Sequence, residues 1–145
     1  MSQRIKKKIM ALIYRIRNNA QEFLALKQTA NPLYGPANFY VVTGSIENNE
    51  SNLLAVKREV EEETGITNIT KITDLNKTYE YNHPAEGNYL CQEHCFAVLV
   101  DDEVKHLNEE HTEYKWLTND DFVDTISWYY DKEDLKQLMK SILIK

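Results

Sequence analysis

The stretch GSIENNESNLLAVKREVEEETGI, residues 44–66, decides the fold and carries the residues best suited to chemistry. Four of its glutamates fall within positions 59–63, near the end of a predicted helix. Carboxylates at this end face the negative pole of the helix dipole. Like charges at i,i+4, such as Glu59 and Glu63, also repel each other. The arrangement therefore predicts a positive charge nearby, from a basic side chain or from a metal ion.

The ends of this helix are indicated by the residues around it. Ser51 is a favourable N-cap, and Gly65 is favourable at the left-handed position that follows a helix. Between them, Leu53, Val56 and Val60 are predicted to form one apolar stripe. The stripe predicts that the helix packs on a sheet.

Three glutamates form a second stripe beside the apolar one. Glu59, Glu62 and Glu63 stand at i, i+3 and i+4, while Glu61 points elsewhere. Carboxylates at the edge of a buried face suit a hard cation that prefers oxygen ligands, such as magnesium or manganese. A solvated acidic face is the alternative interpretation of the same pattern.

Length and composition predict a single domain over residues 1–145. The net charge of −6 argues against a nucleic-acid duplex as partner. No apolar run reaches membrane-spanning length, and the N-terminus lacks the apolar stretch of a signal peptide. Two cysteines fit a reducing compartment better than a disulfide scaffold. We therefore expect a cytoplasmic monomer or homodimer that does not bind membranes.

The remainder of the chain predicts more strands than helices. Strands are predicted at residues 9–17, 22–29, 39–43, 69–81, 89–100 and 113–118, and a second helix at 131–145. The first two strands are predicted to form a hairpin. The mixed order of strands and helices favours an α+β fold in which helices cover a mixed sheet.

The spacing within residues 44–66 resembles the signature of the Nudix hydrolase family, G-x(5)-E-x(7)-R-E-U-x-E-E-x-G-U, in which U is aliphatic. Every defined position matches, and the matching residues are Gly44, Glu50, Arg58, Glu59, Val60, Glu62, Glu63, Gly65 and Ile66. The resemblance implies an α/β/α sandwich with a mixed central sheet. It also implies metal-dependent hydrolysis of a nucleoside diphosphate linked to another group, so the partner is a small nucleotide-type substrate.

The resemblance also implies roles for individual residues of the motif. Glu59, Glu62 and Glu63 would hold one or more Mg²⁺ or Mn²⁺ ions, and Gly44 would let the backbone approach the metal and offer its carbonyl as a ligand. The metal would then offset the repulsion between the glutamates.

Two basic side chains are expected to support the site rather than to hold the metal. Arg58 would pair with Glu50 and fix the preceding loop against the helix, a role more structural than catalytic. Lys27, at the end of a predicted strand, is a candidate to contact the substrate phosphates. An ordinary exposed lysine is the alternative for Lys27.

A shorter resemblance concerns the substrate and the proton acceptor. Residues 42–47, VTGSIE, and 110–118, EHTEYKWLT, resemble the branch that contains dATP pyrophosphohydrolases and dihydroneopterin triphosphate pyrophosphatases. In that branch a glutamate directly before a histidine, as Glu110 before His111, is a candidate metal ligand or general base. Glu59 is the second candidate for the base.

Two alternatives remain open for the function. Pro84 lies in a region where the ADP-ribose-cleaving branch has a proline, so an ADP-ribose or dinucleoside polyphosphate pyrophosphatase is one alternative. The other is a catalytically silent Nudix-fold domain that binds a nucleotide or a protein and acts as a regulator. Silent members usually lack metal-binding glutamates, and none is missing here.

Two further groups of residues have structural interpretations. Cys91 and Cys95 are predicted to be structural rather than zinc ligands, because His94 faces the other side of the same strand. Six aromatic residues are predicted mainly as core or cross-strand pairs, with base stacking as the alternative. They are Tyr79, Tyr81, Trp116, Trp128, Tyr129 and Tyr130.

Overall fold

The computed structural model of the chain describes residues 4–30, 36–83, 89–109 and 111–142. Its strands are β1 (Arg4–Arg17), β2 (Ala20–Gln28), β3 (Asn38–Tyr40), β4 (Val42–Ser45), β5 (Ile69–Asn82), β6 (Tyr89–Val100) and β7 (His111–Leu117). Its helices are α1 (Asn52–Thr64), α2 (Asn119–Thr125) and α3 (Lys132–Ile142). Among the described residues, no helix has the length and apolar character needed to cross a membrane.

The strands of the described residues form one mixed sheet of seven strands. The main order is β3-β2-β1-β6-β5, with β4 paired to β1 and β7 paired to β2. Strands β1 and β6 run parallel at the centre, and the other pairs are antiparallel. Residues 9–14 of β1 are all buried, as expected of a strand covered on both faces. The predicted mixed sheet is confirmed.

The strand predicted at 39–43 is two strands rather than one. β3 pairs with the end of β2, whereas β4 pairs with residues 8–11 of β1. The chain changes partner at Val41 because β1 pairs with β2 only over its last residues, from Tyr14 onward. This opening leaves a place for β4 next to the first half of β1. The start of the 44–66 motif is therefore fixed at the sheet.

Helix α1 covers one face of the sheet. Val56 and Val60 lie in one hydrophobic cluster with Ile9 of β1. The predicted stripe was wrong at Leu53, whose side chain remains 51% exposed, and Ala55 is buried in its place. Leu53 lies in the first turn of the helix, where the helix has not yet reached the sheet.

Helices α2 and α3 cover the opposite face. Phe122 of α2 and Leu135 of α3 are fully buried in a second cluster with Met10 of β1. Helix α2 was not predicted, because seven residues with one buried apolar side chain give no helical periodicity. Helices on both faces of a mixed sheet make the α/β/α sandwich that was expected.

Candidate active site

Helix α1 begins and ends where its sequence predicts. The Ser51 hydroxyl accepts a hydrogen bond of 3.2 Å from the Leu54 amide, as an N-cap does. Gly65 has φ 75° and its amide donates to the carbonyl of Glu61 at 2.8 Å. The last turn, which carries the glutamates, is therefore held rigidly on the sheet.

The three motif glutamates differ in exposure around this helix. Glu63 is only 3% exposed, Glu59 is half-buried, and Glu62 points outward. Burying a carboxylate costs free energy unless a positive charge or several hydrogen bonds compensate it. Compensation is therefore required for Glu63 and Glu59, and less so for the exposed Glu62.

Arg58 supplies part of this compensation. Its Nε and Nη2 atoms donate to the two oxygens of Glu50 at 2.8 and 3.0 Å. Its Nη1 atom donates to Glu59 at 2.8 Å and to Glu62 at 3.3 Å. Nη2 also donates to the carbonyl of Ser45 at 2.9 Å, which joins the helix to the end of β4.

The pair of Arg58 and Glu50 stays charged at any ordinary pH. Hydrogen bonds from Arg58, joined by one from the Glu47 amide, lower the pKa of Glu50 to about 2. The same contacts raise the pKa of the Arg58 guanidinium further above its normal value. The two-point geometry is one that lysine cannot reproduce.

We expect Arg58→Ala to lower both the melting temperature and the hydrolysis rate. The substitution removes the bond between helix and loop and leaves Glu59 and Glu50 without their cation. Thermal unfolding and steady-state kinetics measure the two effects. Lys57→Ala, next in the chain and exposed, is the matched control and should change neither. An unchanged melting temperature for Arg58→Ala would show that the pair of Arg58 and Glu50 does not stabilise the fold.

The Glu59 carboxyl lies against the backbone of Gly44. A Cβ atom added at Gly44 would overlap the carboxyl carbon and both oxygens of Glu59. Burial raises the pKa of the Glu59 carboxyl, while hydrogen bonds to Arg58 and Glu63 act in the opposite direction. Two buried carboxyl groups in contact can both be ionised only if a cation lies between or beside them.

These features fit a hard divalent cation. The ligand atoms are carboxylate oxygens, and the space beside Gly44 would be filled by any larger residue. Within the described residues, however, no three acidic, histidine or cysteine side chains converge on one point. Arg58 holds Glu59 and Glu62 instead, so the exposed Glu62 would have to turn to join a metal site.

We expect Gly44→Ala to reduce the rate by about 100-fold and to lower stability less than Arg58→Ala does, because the new methyl group displaces the carboxyl end of Glu59 but leaves the contact of Arg58 with Glu50 in place. Kinetics and thermal unfolding measure the effects. Gly65→Ala is the matched contrast: its φ of 75° disfavours alanine, so stability should fall. Normal turnover by Gly44→Ala would mean that Glu59 need not occupy this position.

His111 brings the start of β7 to the same place. Its Nε2 atom lies 3.6 Å from Oε1 of Glu63, and its Nδ1 atom lies 2.9 Å from Oδ1 of Asn108. The distance to Glu63 alone suggests an ion pair, but burial lowers the pKa of His111 to about 4. The imidazole is therefore neutral at pH 7 and contacts Glu63 without an ion pair. Glu110, the candidate base, lies outside the described residues.

A cavity of about 650 Å³ opens beside the glutamates. Gly44, Arg58, Glu59 and Glu62 line one end of it. Tyrosines line much of the remainder: Tyr40, Tyr81, Tyr129 and Tyr130. Tyr40 and Tyr129 lie with ring centroids 4.4 Å apart. Three of the six aromatics discussed from sequence thus line the cavity, whereas Tyr79 and Trp128 are buried in the core.

Two charged residues in the cavity wall were missed by the sequence analysis. Glu93 of β6 is 4% exposed, and the Lys8 ammonium of β1 lies 3.6 Å from its Oε2 atom. A signal was present, because Glu93 occupies an inward position between Cys91 and Cys95, which are both fully buried. A charge at an inward position of a central strand is uncommon unless the residue is paired.

The structure keeps Lys27 away from the lining of this cavity. Its Nζ atom lies 3.9 Å from Glu113 of β7, and both side chains are partly exposed. Contact of Lys27 with phosphates stays a prediction. Glu113 is held in the strand, and Glu109 is exposed.

The cysteine pair is structural in the described chain. Cys91 and Cys95 are free, fully buried thiols, and burial raises the pKa of Cys95 to about 12. His94 faces the other side of β6, where its Nε2 atom lies 2.6 Å from Asp74. No zinc site is formed by these residues.

The carboxylates and the arginine of the cavity lining suit phosphates, and the tyrosines of the same lining suit an aromatic ring. The helix-covered mixed sheet and the acidic loop-helix motif beside the cavity define the class of protein. The NUDIX domain model matches residues 6–139, and the chain belongs to this family. It is thus a Nudix hydrolase, an enzyme of the pyrophosphohydrolase class.

Similar proteins agree with this assignment. The chain is 27% identical over 117 residues to an RNA pyrophosphohydrolase of Pelagibacter ubique, covering 69% of this chain and 73% of the relative. It superposes on a dihydroneopterin triphosphate pyrophosphohydrolase of E. coli with TM-score 0.69 and 25% identity, covering 90% and 92% of the two chains. A Listeria monocytogenes protein assigned to the NUDIX hydrolases superposes with TM-score 0.77 and 20% identity, covering 93% and 92%.

Proposed function

We propose that this enzyme hydrolyses a pyrophosphate bond in a nucleoside or pterin triphosphate and releases the monophosphate. Magnesium or manganese would be held by Glu59, Glu62 and Glu63, with the carbonyl of Gly44 as a further ligand. The observation that carries the proposal is the contact between Glu59 and Glu63 beside Gly44, at one end of a cavity large enough for a nucleotide.

A bound divalent cation would supply positive charge to phosphate oxygens on which negative charge accumulates during hydrolysis. The chain's own residues would position and activate the other participants. Arg58 holds Glu59 in place through a hydrogen bond of 2.8 Å. A carboxylate must take the proton from the attacking water, and Glu110 is our first candidate, followed by Glu59.

The sequence position of Glu110 supports its candidacy. Its neighbour His111 is buried and lies 3.6 Å from Glu63, so the chain enters the site directly after Glu110. Residues in such loops can close over a substrate after it binds.

The alternatives predict different substrates. An ADP-ribose or dinucleoside polyphosphate pyrophosphatase would cleave molecules with a second group beyond the diphosphate. The indication for the ADP-ribose branch, Pro84, lies outside the described residues. A silent regulator would bind nucleotides without turnover, and the complete set of motif glutamates argues against it.

A substrate screen tests the proposal. Nucleoside triphosphates, dihydroneopterin triphosphate, ADP-ribose and dinucleoside polyphosphates are each incubated with the protein and Mg²⁺, and released products are identified by chromatography. We expect monophosphate and pyrophosphate from a triphosphate. Turnover of only ADP-ribose or dinucleoside polyphosphates would overturn the substrate class, and no turnover would favour the silent regulator.

The cellular setting is also part of the proposal. Two free, buried cysteines fit the reducing cytoplasm that was expected from the sequence. A small nucleotide-type molecule is the proposed partner, and no nucleic-acid duplex is expected with a net charge of −6.

A further inference from the structure

A second polar cluster lies in the cavity, apart from the glutamates of α1. The Tyr130 hydroxyl donates to Oε1 of Glu93 at 3.0 Å, and the Lys8 ammonium lies 3.6 Å from Oε2. All three residues line the cavity. Burying a carboxylate costs folding free energy. Stability alone therefore does not explain why Glu93 occupies the cavity wall.

The cluster is held rigidly by neighbouring tyrosines. The ring of Tyr130 stacks on Tyr79 with centroids 3.9 Å apart and an interplanar angle of 6°. Lys8 also donates to the Tyr81 hydroxyl at 3.1 Å. Burial, reinforced by the charge of Glu93, raises the pKa of Tyr81 and Tyr130, so both hydroxyls stay protonated. The carboxylate of Glu93 therefore has a fixed direction.

Glu93 retains capacity to accept hydrogen bonds. Each of its oxygens has one polar partner among the described residues. A carboxylate offers about four acceptor positions in total, so both oxygens can accept from a ligand as well. Lys8 has three donor protons, of which the hydrogen bond to Tyr81 uses one, and its contact with Glu93 is an ion pair. The wall thus presents two acceptors beside one donor.

The sheet sets the distance between this cluster and the phosphate end of the cavity. In the register, Lys8 stands between Ser45 of β4 and Glu93 of β6. Glu93 is therefore two strand spacings, roughly 10 Å, from the strand that carries Gly44. One small molecule can span this distance, and the exposed ring of Tyr129 in the same cavity lining is available for stacking.

We propose that Glu93 and Lys8 recognise the edge of a 2-amino-4-oxopyrimidine ring, the group shared by guanine and pterins. This edge presents an amino group, a ring N–H and a carbonyl oxygen side by side. The carboxylate accepts from the first two, and the ammonium donates to the carbonyl. The inference rests on the proposed function and narrows its substrate to guanine or pterin triphosphates.

Other bases fit this wall less well. Adenine places a ring nitrogen acceptor next to its amino group, and this acceptor would face the carboxylate. Uracil and thymine have only one ring N–H on the same edge. A mismatched base would leave the buried carboxylate opposite another acceptor, which disfavours binding.

Calorimetry with product monophosphates tests the inference without metal or turnover. GMP, dihydroneopterin monophosphate and AMP are titrated into the wild-type protein in chelator. One good two-point contact corresponds to roughly 5- to 150-fold in affinity, so at least one of the first two should bind about 10-fold or more tighter than AMP. The tighter-binding of GMP and dihydroneopterin monophosphate shows whether the preferred ring is guanine or a pterin. Equal or tighter binding of AMP would overturn the inference.

Glu93→Gln tests the residue. It keeps the shape but leaves one acceptor oxygen, so the preference over AMP should fall to about one-fold to three-fold. Glu80→Gln, exposed on the neighbouring strand β5, is the matched control and should keep the wild-type preference. Tyr130→Phe retains the carboxylate and removes one donor to it, so it should weaken the preference partially and provides a second variant. A preference unchanged in both variants would contradict the assignment.

The two levels of the proposal can fail separately. A protein that prefers GMP or the pterin but hydrolyses no triphosphate with Mg²⁺ would retain the ring-binding inference and overturn the proposed reaction. A protein that hydrolyses triphosphates but binds AMP equally well would retain the reaction and overturn the inference.

Discussion

Glu63→Gln should reduce the hydrolysis rate by at least about 100-fold, because it removes a charge of the proposed metal site from the least exposed of the motif glutamates. Glu63 is 3% exposed and in contact with Glu59, so two carboxyl groups are held together in a place that water hardly reaches. Removing the charge should therefore not lower the melting temperature in chelator. Affinity for Mn²⁺, measured by calorimetry, should fall together with the rate.

The control for this substitution lies on the same helix. Glu61 is exposed and belongs to neither the apolar stripe nor the glutamate stripe, so Glu61→Gln should keep both rate and Mn²⁺ affinity. Wild-type activity should also vanish in chelator and return with excess magnesium or manganese. Full activity in chelator would contradict the metal assignment, whatever the variants do.

Glu110→Gln should produce the second large effect. If Glu110 is the general base, the amide cannot accept the proton from water, and turnover should fall by about 100- to 10,000-fold. A pure base does not hold the metal, so Mn²⁺ affinity should change little. Rapid-quench or steady-state kinetics measure turnover, and calorimetry measures the Mn²⁺ affinity. A parallel loss of Mn²⁺ affinity would instead identify Glu110 as a ligand.

Two neighbouring glutamates serve as matched controls for Glu110. Glu109 is exposed, and Glu113 is held in β7 opposite Lys27. The same change to glutamine at either position should leave turnover close to normal. If Glu110→Gln also retains near-normal turnover, the assignment is wrong and Glu59 becomes the better candidate.

The local features of the motif could be predicted from sequence because they depend on residues close together in the chain. Ser51 and Gly65 define the ends of α1 through contacts that span only a few residues. The contact of Arg58 with Glu50 also lies within the motif. The long strands were predicted because continuous apolar runs, residues 9–14 in β1 and 95–100 in β6, have the length of a buried strand.

Features that depend on packing between distant segments were predicted less well. Helix α2 was missed because it is short and owes its position to Phe122 in the core. Leu53 was wrongly assigned to the buried stripe, because periodicity cannot tell where along its length a helix meets the sheet. The split between β3 and β4 follows from the limited pairing of β1 with β2, which is a property of the whole sheet.

The family, the helix that carries the glutamates and the type of ligand atom they offer follow from the amino-acid sequence alone, because these features reside in one continuous stretch of chain. The remainder of the cavity depends on how distant segments pack together. Lys8 and Glu93 are 85 positions apart in sequence and become neighbours because β1 and β6 pair in parallel. The register of that pairing turns both charges to the same face of the sheet, and no local pattern of residues encodes a register between distant strands.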